Sequence, residues 1–86
     1  KHAIIGMTKY LATYWADKGI RVNTLCPASL YNGQNDEFVS KISNLVPLGR
    51  MSRPDEYVCT ILYMISDAAT YMTGSTVVID GGRTIW

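Results

Sequence analysis

Thr76-Val77-Val78-Ile79 is β-branched and apolar at every position after the first, with no alternation. A strand of that kind has two faces to cover, which a parallel sheet flanked by helices provides and a half-solvated hairpin does not. An earlier β-branched run, Ile20-Arg21-Val22-Asn23-Thr24-Leu25-Cys26, also reads as a strand, with Pro27 expected to stop it. The segments between the two runs have helical periodicity. Strands joined through helices within one sheet run parallel, with a right-handed crossover. The chain is therefore expected to be α/β, in the order helix, strand, short helix, helix, strand. Two parallel strands cannot cover their own faces, so more sheet is expected from outside these residues.

The first helix is expected from Ala3 to Ala16. Ile4, Met7, Leu11 and Trp15 would form one apolar face, and Ile5, Tyr10, Ala12 and Tyr14 a second. Lys18-Gly19 should end it, with Gly19 as the left-handed residue past the last turn. Turn chemistry surrounds Asn32-Gly33 in the stretch Ala28 to Gln34. A short amphipathic helix is expected over Asn35 to Leu45, with Phe38, Ile42 and Leu45 inward and Asp36 and Glu37 in the first turn. Val46-Pro47-Leu48-Gly49 breaks it. Ser52-Arg53-Pro54-Asp55 reads as the capped start of a further helix running to about Asp67, with Val58, Ile61, Leu62 and Ile65 on one face. Asp80-Gly81-Gly82 turns the chain out of the last strand.

At 86 residues the chain has the length of one small domain, yet 48% of it is hydrophobic. That exceeds what a small solitary core uses, so missing partner surface, through truncation or association, is expected. The net charge is +1 and the cations are scattered, so no nucleic-acid partner is expected. The apolar runs are far too short for a membrane span, so no membrane partner is expected either. Cys26 and Cys59 lack metal-type spacing and read as reduced, buried small residues, which implies no metal site and a cytoplasmic location.

Lys1-His2-Ala3-Ile4-Ile5-Gly6-Met7-Thr8-Lys9-Tyr10-Leu11-Ala12 resembles the helix that follows the active-site tyrosine of the short-chain dehydrogenase/reductase family. Ile20-Arg21-Val22-Asn23 with Cys26-Pro27 is similar to the family's sixth strand and the loop that closes on nicotinamide. Pro47-Leu48-Gly49-Arg50 with Pro54-Asp55-Glu56 resembles the segment after the substrate loop. Thr73-Gly74 and Val78-Ile79-Asp80-Gly81-Gly82 resemble the last strand and its exit. These pieces occur in order and in register. The resemblance implies that residues 1–86 are the C-terminal part of a single Rossmann-type, doubly wound NAD(P)-binding domain, with no second domain.

In that family a tyrosine lies one helical turn before a lysine. The phenol exchanges a proton with substrate, and the ammonium lowers the phenol's pKa and bonds the nicotinamide ribose. The resemblance places Lys1 at the lysine position, as a catalytic and cofactor-binding residue. It also implies that Pro27, Ala28, Leu30 and Asn32 bind the cofactor, NAD or NADP. Where the family has glycine and threonine, this chain has Ala28 and Asn32. If Ala28 occupied a positive φ, its Cβ would be strained. Leu30 would offer backbone groups to the carboxamide and Asn32 a hydrogen-bonding amide. The plainer readings are a solvated terminal Lys1 and a loop with no ligand. His2 is expected to be an exposed first-turn residue, Asp80 to hold its turn, Asn23 to be structural, and Trp15 and the tyrosines to pack.

The implied function is hydride transfer between NAD(P) and a small carbonyl or alcohol substrate, with a sugar derivative among the candidates, by a homodimer or homotetramer. Asn32-Gly33-Gln34 and the tail Gly81 to Trp86 further resemble a branch of bacterial surface-sugar and flagellin-glycan enzymes. The alternatives are a non-catalytic oligomerisation or binding module, and an acyl-carrier-protein reductase, which would favour a basic docking patch.

Overall fold

Chain order in the computed structural model, which describes all 86 residues, is α1 (His2–Tyr14), β1 (Thr24–Pro27), α2 (Asp36–Ser43), α3 (Val58–Ile65) and β2 (Thr76–Ile79). Single 3-10 turns lie at Ala16–Lys18, Pro54–Tyr57 and Asp67–Ala69. β1 pairs directly with β2. The Thr24 N–H donates to Ser75 O at 2.9 Å and the Ala28 N–H to Ile79 O at 3.2 Å. Both strands advance together between those bonds, so the pair is parallel, as its composition requires. The chain divides into two compact units: Lys1–Leu25 with Cys59–Val77, and Cys26–Val58 with Val78–Trp86.

In the first unit, Thr8 and Ala12 of α1 are buried, and Ile5, Leu11 and, just past the helix, Trp15 are half-buried. Ile4, Met7, Tyr10 and Tyr14 are exposed. Two apolar faces were expected, Ile4-Met7-Leu11-Trp15 and Ile5-Tyr10-Ala12-Tyr14, and the inward row draws on both and adds Thr8. Both faces have helical spacing, and side-chain size chooses among their residues. Small Thr8 and Ala12 let the helix approach closely, and the Thr24 hydroxyl donates to that of Thr8 at 2.6 Å. The α-helix stops at Tyr14, short of the expected Ala16. Gly19, at φ +69°, closes the 3-10 turn that follows.

Ile20 to Asn23 do not join the ladder, so the first strand is shorter than expected and keeps Pro27 as its last residue. The polar groups of this segment are engaged elsewhere. Arg21 donates to Ser66 O and Met72 O at 3.3 and 3.1 Å. The Asn23 amide donates to Met72 O at 2.8 Å and accepts from the Ser75 N–H at 3.0 Å. Asn23 is structural, as expected: it ties the approach to β1 to the approach to β2. Met64 and Ala69 complete the buried apolar residues of this unit.

Val58, Ile61, Leu62 and Ile65 of α3 are exposed, against the expectation of an inward face. Cys59 is also exposed and Cys26 half-buried, so neither is the buried residue expected. A two-stranded sheet is too narrow to cover a helix with apolar side chains on most of its circumference.

In the second unit the Asn35 side chain caps α2, accepting from the Phe38 N–H at 2.9 Å. This helix spans Asp36–Ser43 within the expected Asn35–Leu45, and its inward residues are Val39 and Ile42, whereas Phe38 and Leu45 are exposed. Val46, Met51 and Tyr57 are buried. The Trp86 indole donates to Leu45 O at 3.3 Å. Asp80 holds the exit turn as expected, accepting from the Gly82 and Thr84 N–H groups, each at 2.9 Å, and from the Thr84 hydroxyl at 2.6 Å.

Candidate functional site

The loop Pro27–Asn32 leaves the carboxyl end of β1, the end at which open α/β sheets bind ligands. Ala28 is not the positive-φ residue; Ser29 is, at φ +54°. The strain expected at Ala28 falls one residue later. The Ala28 N–H still donates to Ile79 O, which keeps Ala28 in line with the strand, and the chain turns only after that bond.

Beyond the turn, the loop runs beside Ser52. The Ser52 N–H donates to Ser29 O at 2.9 Å, and the Tyr31 N–H donates to Ser52 O at 2.9 Å, which makes Leu30 and Ser52 a parallel bridge. Ser52 was expected to cap the next helix. Arg53 holds the cap position instead, with the Glu56 carboxylate accepting its N–H at 2.8 Å. The Ser52 hydroxyl is directed to the loop, reaching Ala28 O at 3.3 Å and pairing with the Tyr57 hydroxyl. Tyr57 in turn donates to Ala28 O at 3.1 Å.

This bracing leaves specific groups free. Leu30 is exposed, and its N–H makes no hydrogen bond within the chain. Its carbonyl accepts from the Gln34 amide at 3.2 Å, and the same amide's oxygen takes the Asn32 N–H at 2.7 Å. Asn32-Gly33-Gln34 is thus a turn closed by its own side chain, with the Asn32 carboxamide turned to solvent. Pro27, Ala28, Leu30 and Asn32 therefore share one loop of one unit. Lys1 belongs to the other unit, exposed at the N-cap of α1, where its carbonyl accepts the Ile4 N–H at 3.1 Å. His2 is exposed in the first turn, as expected.

A cleft of about 70 Å³ lies beside the loop, bordered by Ala28, Ser29, Arg50, Ser52, Glu56 and Asp80. It is far too small to enclose a dinucleotide. Glu56 chelates the Arg50 guanidinium at 2.6 and 2.8 Å. That bond first, then the Arg53 N–H, holds the Glu56 carboxyl down to about 2. The Thr84 hydroxyl, followed by the Gly82 and Thr84 N–H groups, holds Asp80 below the usual carboxylate range. Both acids are fixed anions in fixed turns. No group of three or more His, Cys, Asp or Glu side chains is placed to hold a metal ion, and no helix is long and apolar enough to cross a membrane.

Ser52 and Tyr57 are the site residues that sequence reasoning missed. The helical pattern claimed both, Ser52 as a cap and Tyr57 as part of the first turn. The one usable signal was a hydroxyl pair set just before an apolar helix.

Parallel strands linked through helices, with a loop leaving a strand's carboxyl end, are the pattern of an open α/β domain, a class that takes its ligands at that edge of the sheet. Residues 1–84 match the family model described as enoyl-(acyl carrier protein) reductase. The chain is 40% identical to an NADH-dependent L-xylulose reductase of Ambrosiozyma monospora, a match covering 100% of this chain and 35% of that protein. It is 38% identical to a cyclohexanol dehydrogenase of Acinetobacter, covering 98% and 34% of the two. It superposes on a short-chain dehydrogenase of Leptospira borgpetersenii, solved with bound NAD+, with a TM-score of 0.91 and 40% identity, covering 96% of this chain and 33% of that one. The chain belongs to the short-chain dehydrogenase/reductase family. It spans about a third of the length of the curated relatives it matches here.

Proposed function

We propose that the protein carrying these residues is an NAD(P)-dependent oxidoreductase acting on a small polyhydroxy alcohol or the matching ketone. The observation that carries this reading is the unpaired N–H of exposed Leu30, on a braced loop at the carboxyl end of β1. A carboxamide needs a donor and an acceptor set on rigid backbone, and the loop offers the Leu30 N–H together with the free Asn32 side chain. Those groups fit the nicotinamide side of the cofactor. When bound, the cofactor gives or takes the hydride. Pro27 and Ala28 carry the chain from the strand into the loop, and Lys1 would supply the ammonium that orders the ribose and favours the phenolate of a neighbouring tyrosine. Residues 1–86 then form the C-terminal part of one Rossmann-type domain in a cytoplasmic enzyme.

The substrate class follows the named relatives, which include an L-xylulose reductase, a D-threitol dehydrogenase and a glycerol dehydrogenase. An acyl-carrier-protein substrate is disfavoured by the charge layout. Lys41, Arg50 and Arg53 are paired with Glu37, Glu56 and Asp55 on the surface, and Arg21 is bound to carbonyls, so no basic docking patch forms from them. A non-catalytic module would not need a free donor on a braced loop. The test is to incubate the whole protein with NAD+ or NADP+ and a panel of polyols, following reduced cofactor by absorbance. Turnover is expected, with Lys1→Met lowering kcat by about a hundredfold or more. Absence of NAD(P)+ reduction with every polyol, and of NAD(P)H oxidation with every corresponding ketone, would refute the reading.

A further inference from the structure

We propose that Tyr57, acting with Ser52, is a positioning residue for the cofactor: its hydroxyl holds the Ala28 carbonyl and so fixes the turn at Ser29 that presents the Leu30 N–H. The proposal rests on the reading of the Pro27–Asn32 loop as the nicotinamide side of the site.

Four observations from one unit support it. Ser29 is the only non-glycine residue at positive φ, a conformation that persists only where the surroundings impose it. The two carbonyls flanking that turn, Ala28 O and Ser29 O, are the groups held by Tyr57 and Ser52. Tyr57 is 6% exposed, among the most buried side chains of the chain, so its ring is locked and its hydroxyl cannot swing to solvent. Neither hydroxyl has a part in capping the helix that follows, a role filled by Glu56. An apolar residue would fill the ring's volume equally well. The phenol oxygen adds one thing, a hydrogen bond to the loop. Holding a loop in its binding conformation lowers the ordering cost when ligand arrives, which appears in affinity for that ligand rather than in the chemical step.

The experiment is Tyr57→Phe in the whole protein, which keeps the buried ring and removes only the hydroxyl. Amide hydrogen exchange is read without cofactor, followed by steady-state kinetics. Exchange at the Tyr31 and Ser52 amides, which bridge the loop to its neighbour, is expected to quicken about tenfold, while the Val39 amide of α2 is unchanged. KM for the cofactor is expected to rise about three- to tenfold with kcat within about twofold. Ser52→Ala, which leaves the buried ring in place, is expected to act in the same direction. Unchanged exchange at Tyr31 and Ser52 in both variants would overturn the brace. Quickened exchange with an unchanged cofactor KM would overturn its link to binding. A wild-type protein that shows the protected loop but binds neither NADH nor NADPH would overturn the proposed function and this link with it. The exchange arm needs no cofactor, so it separates that failure from failure of the brace.

Discussion

Arg50 and Glu56 form a forked pair in which each guanidinium donor meets its own carboxylate oxygen. Glu56 also receives the Arg53 N–H, so one acid both anchors Arg50 and caps the turn that carries Tyr57. Its carboxyl lies at about 2, below the ordinary 4.5. A depressed folded pKa contributes stability that is present above the unfolded value and lost as pH falls through the folded one. Denaturant midpoints of wild type and Glu56→Gln should therefore differ most above about pH 4.5 and converge as pH approaches about 2. A gap that stayed constant across that window would mean that the carboxylate's charge is not what holds the turn. Asp80 adds to the same acid sensitivity in the same direction, since its carboxyl is also held low.

Two glycines show how elements differ in what they require. Gly6 lies within α1, and a Cβ there would meet nothing within 4 Å. Gly81 lies in the exit turn of β2 at φ +63°, where a Cβ would fall 2.7 Å from Val46 Cγ1. Gly6→Ala should stabilise the protein by about 0.5–1 kcal/mol, because alanine restricts the unfolded chain and favours the helix. Gly81→Ala should cost about 1–3 kcal/mol, combining a left-handed conformation with a clash against a buried side chain. Thermal or urea unfolding of the two variants checks both signs. A loss of stability in Gly6→Ala would show that another surface lies against that face of α1.

At the scale of the whole molecule, a different row of α1 calls for cover. Ile4, Met7, Tyr10 and Tyr14 form an exposed apolar row along α1, with the two tyrosine rings stacked at 5.7 Å between centroids. A single copy of the chain gains nothing from leaving that row in water. We propose that closed pairing of identical helices, in a homodimer or homotetramer, covers it with a self-complementary surface. Tyr14→Asp should yield monomers by light scattering, because it places a charge within the paired face. Unchanged assembly in that variant, or a monomeric wild type at high micromolar concentration, would refute the pairing through α1.

Much of this architecture was legible in the residues. The β-branched run Thr76–Ile79 demanded a parallel partner, Asn35 and Gly19 marked helix boundaries, and Asp80 announced its own turn, because each depends on backbone geometry set within a few neighbours. The same locality made Pro27, Ala28, Leu30 and Asn32 readable as one loop. Tertiary structure decided what neighbours could not. It turned Thr8 and Ala12 inward in place of Ile4 and Met7, because close approach favours small side chains over merely apolar ones. It withdrew Ile20 to Asn23 from the ladder, because the Thr73 hydroxyl took the Val22 N–H and the Asn23 side chain took the Ser75 N–H, both across more than forty residues of sequence. It moved the strained φ from Ala28 to Ser29, because the ladder bond to Ile79 extended one residue further. And it recruited Ser52 and Tyr57 to the loop, since a hydrogen bond between distant segments leaves no periodicity in either one.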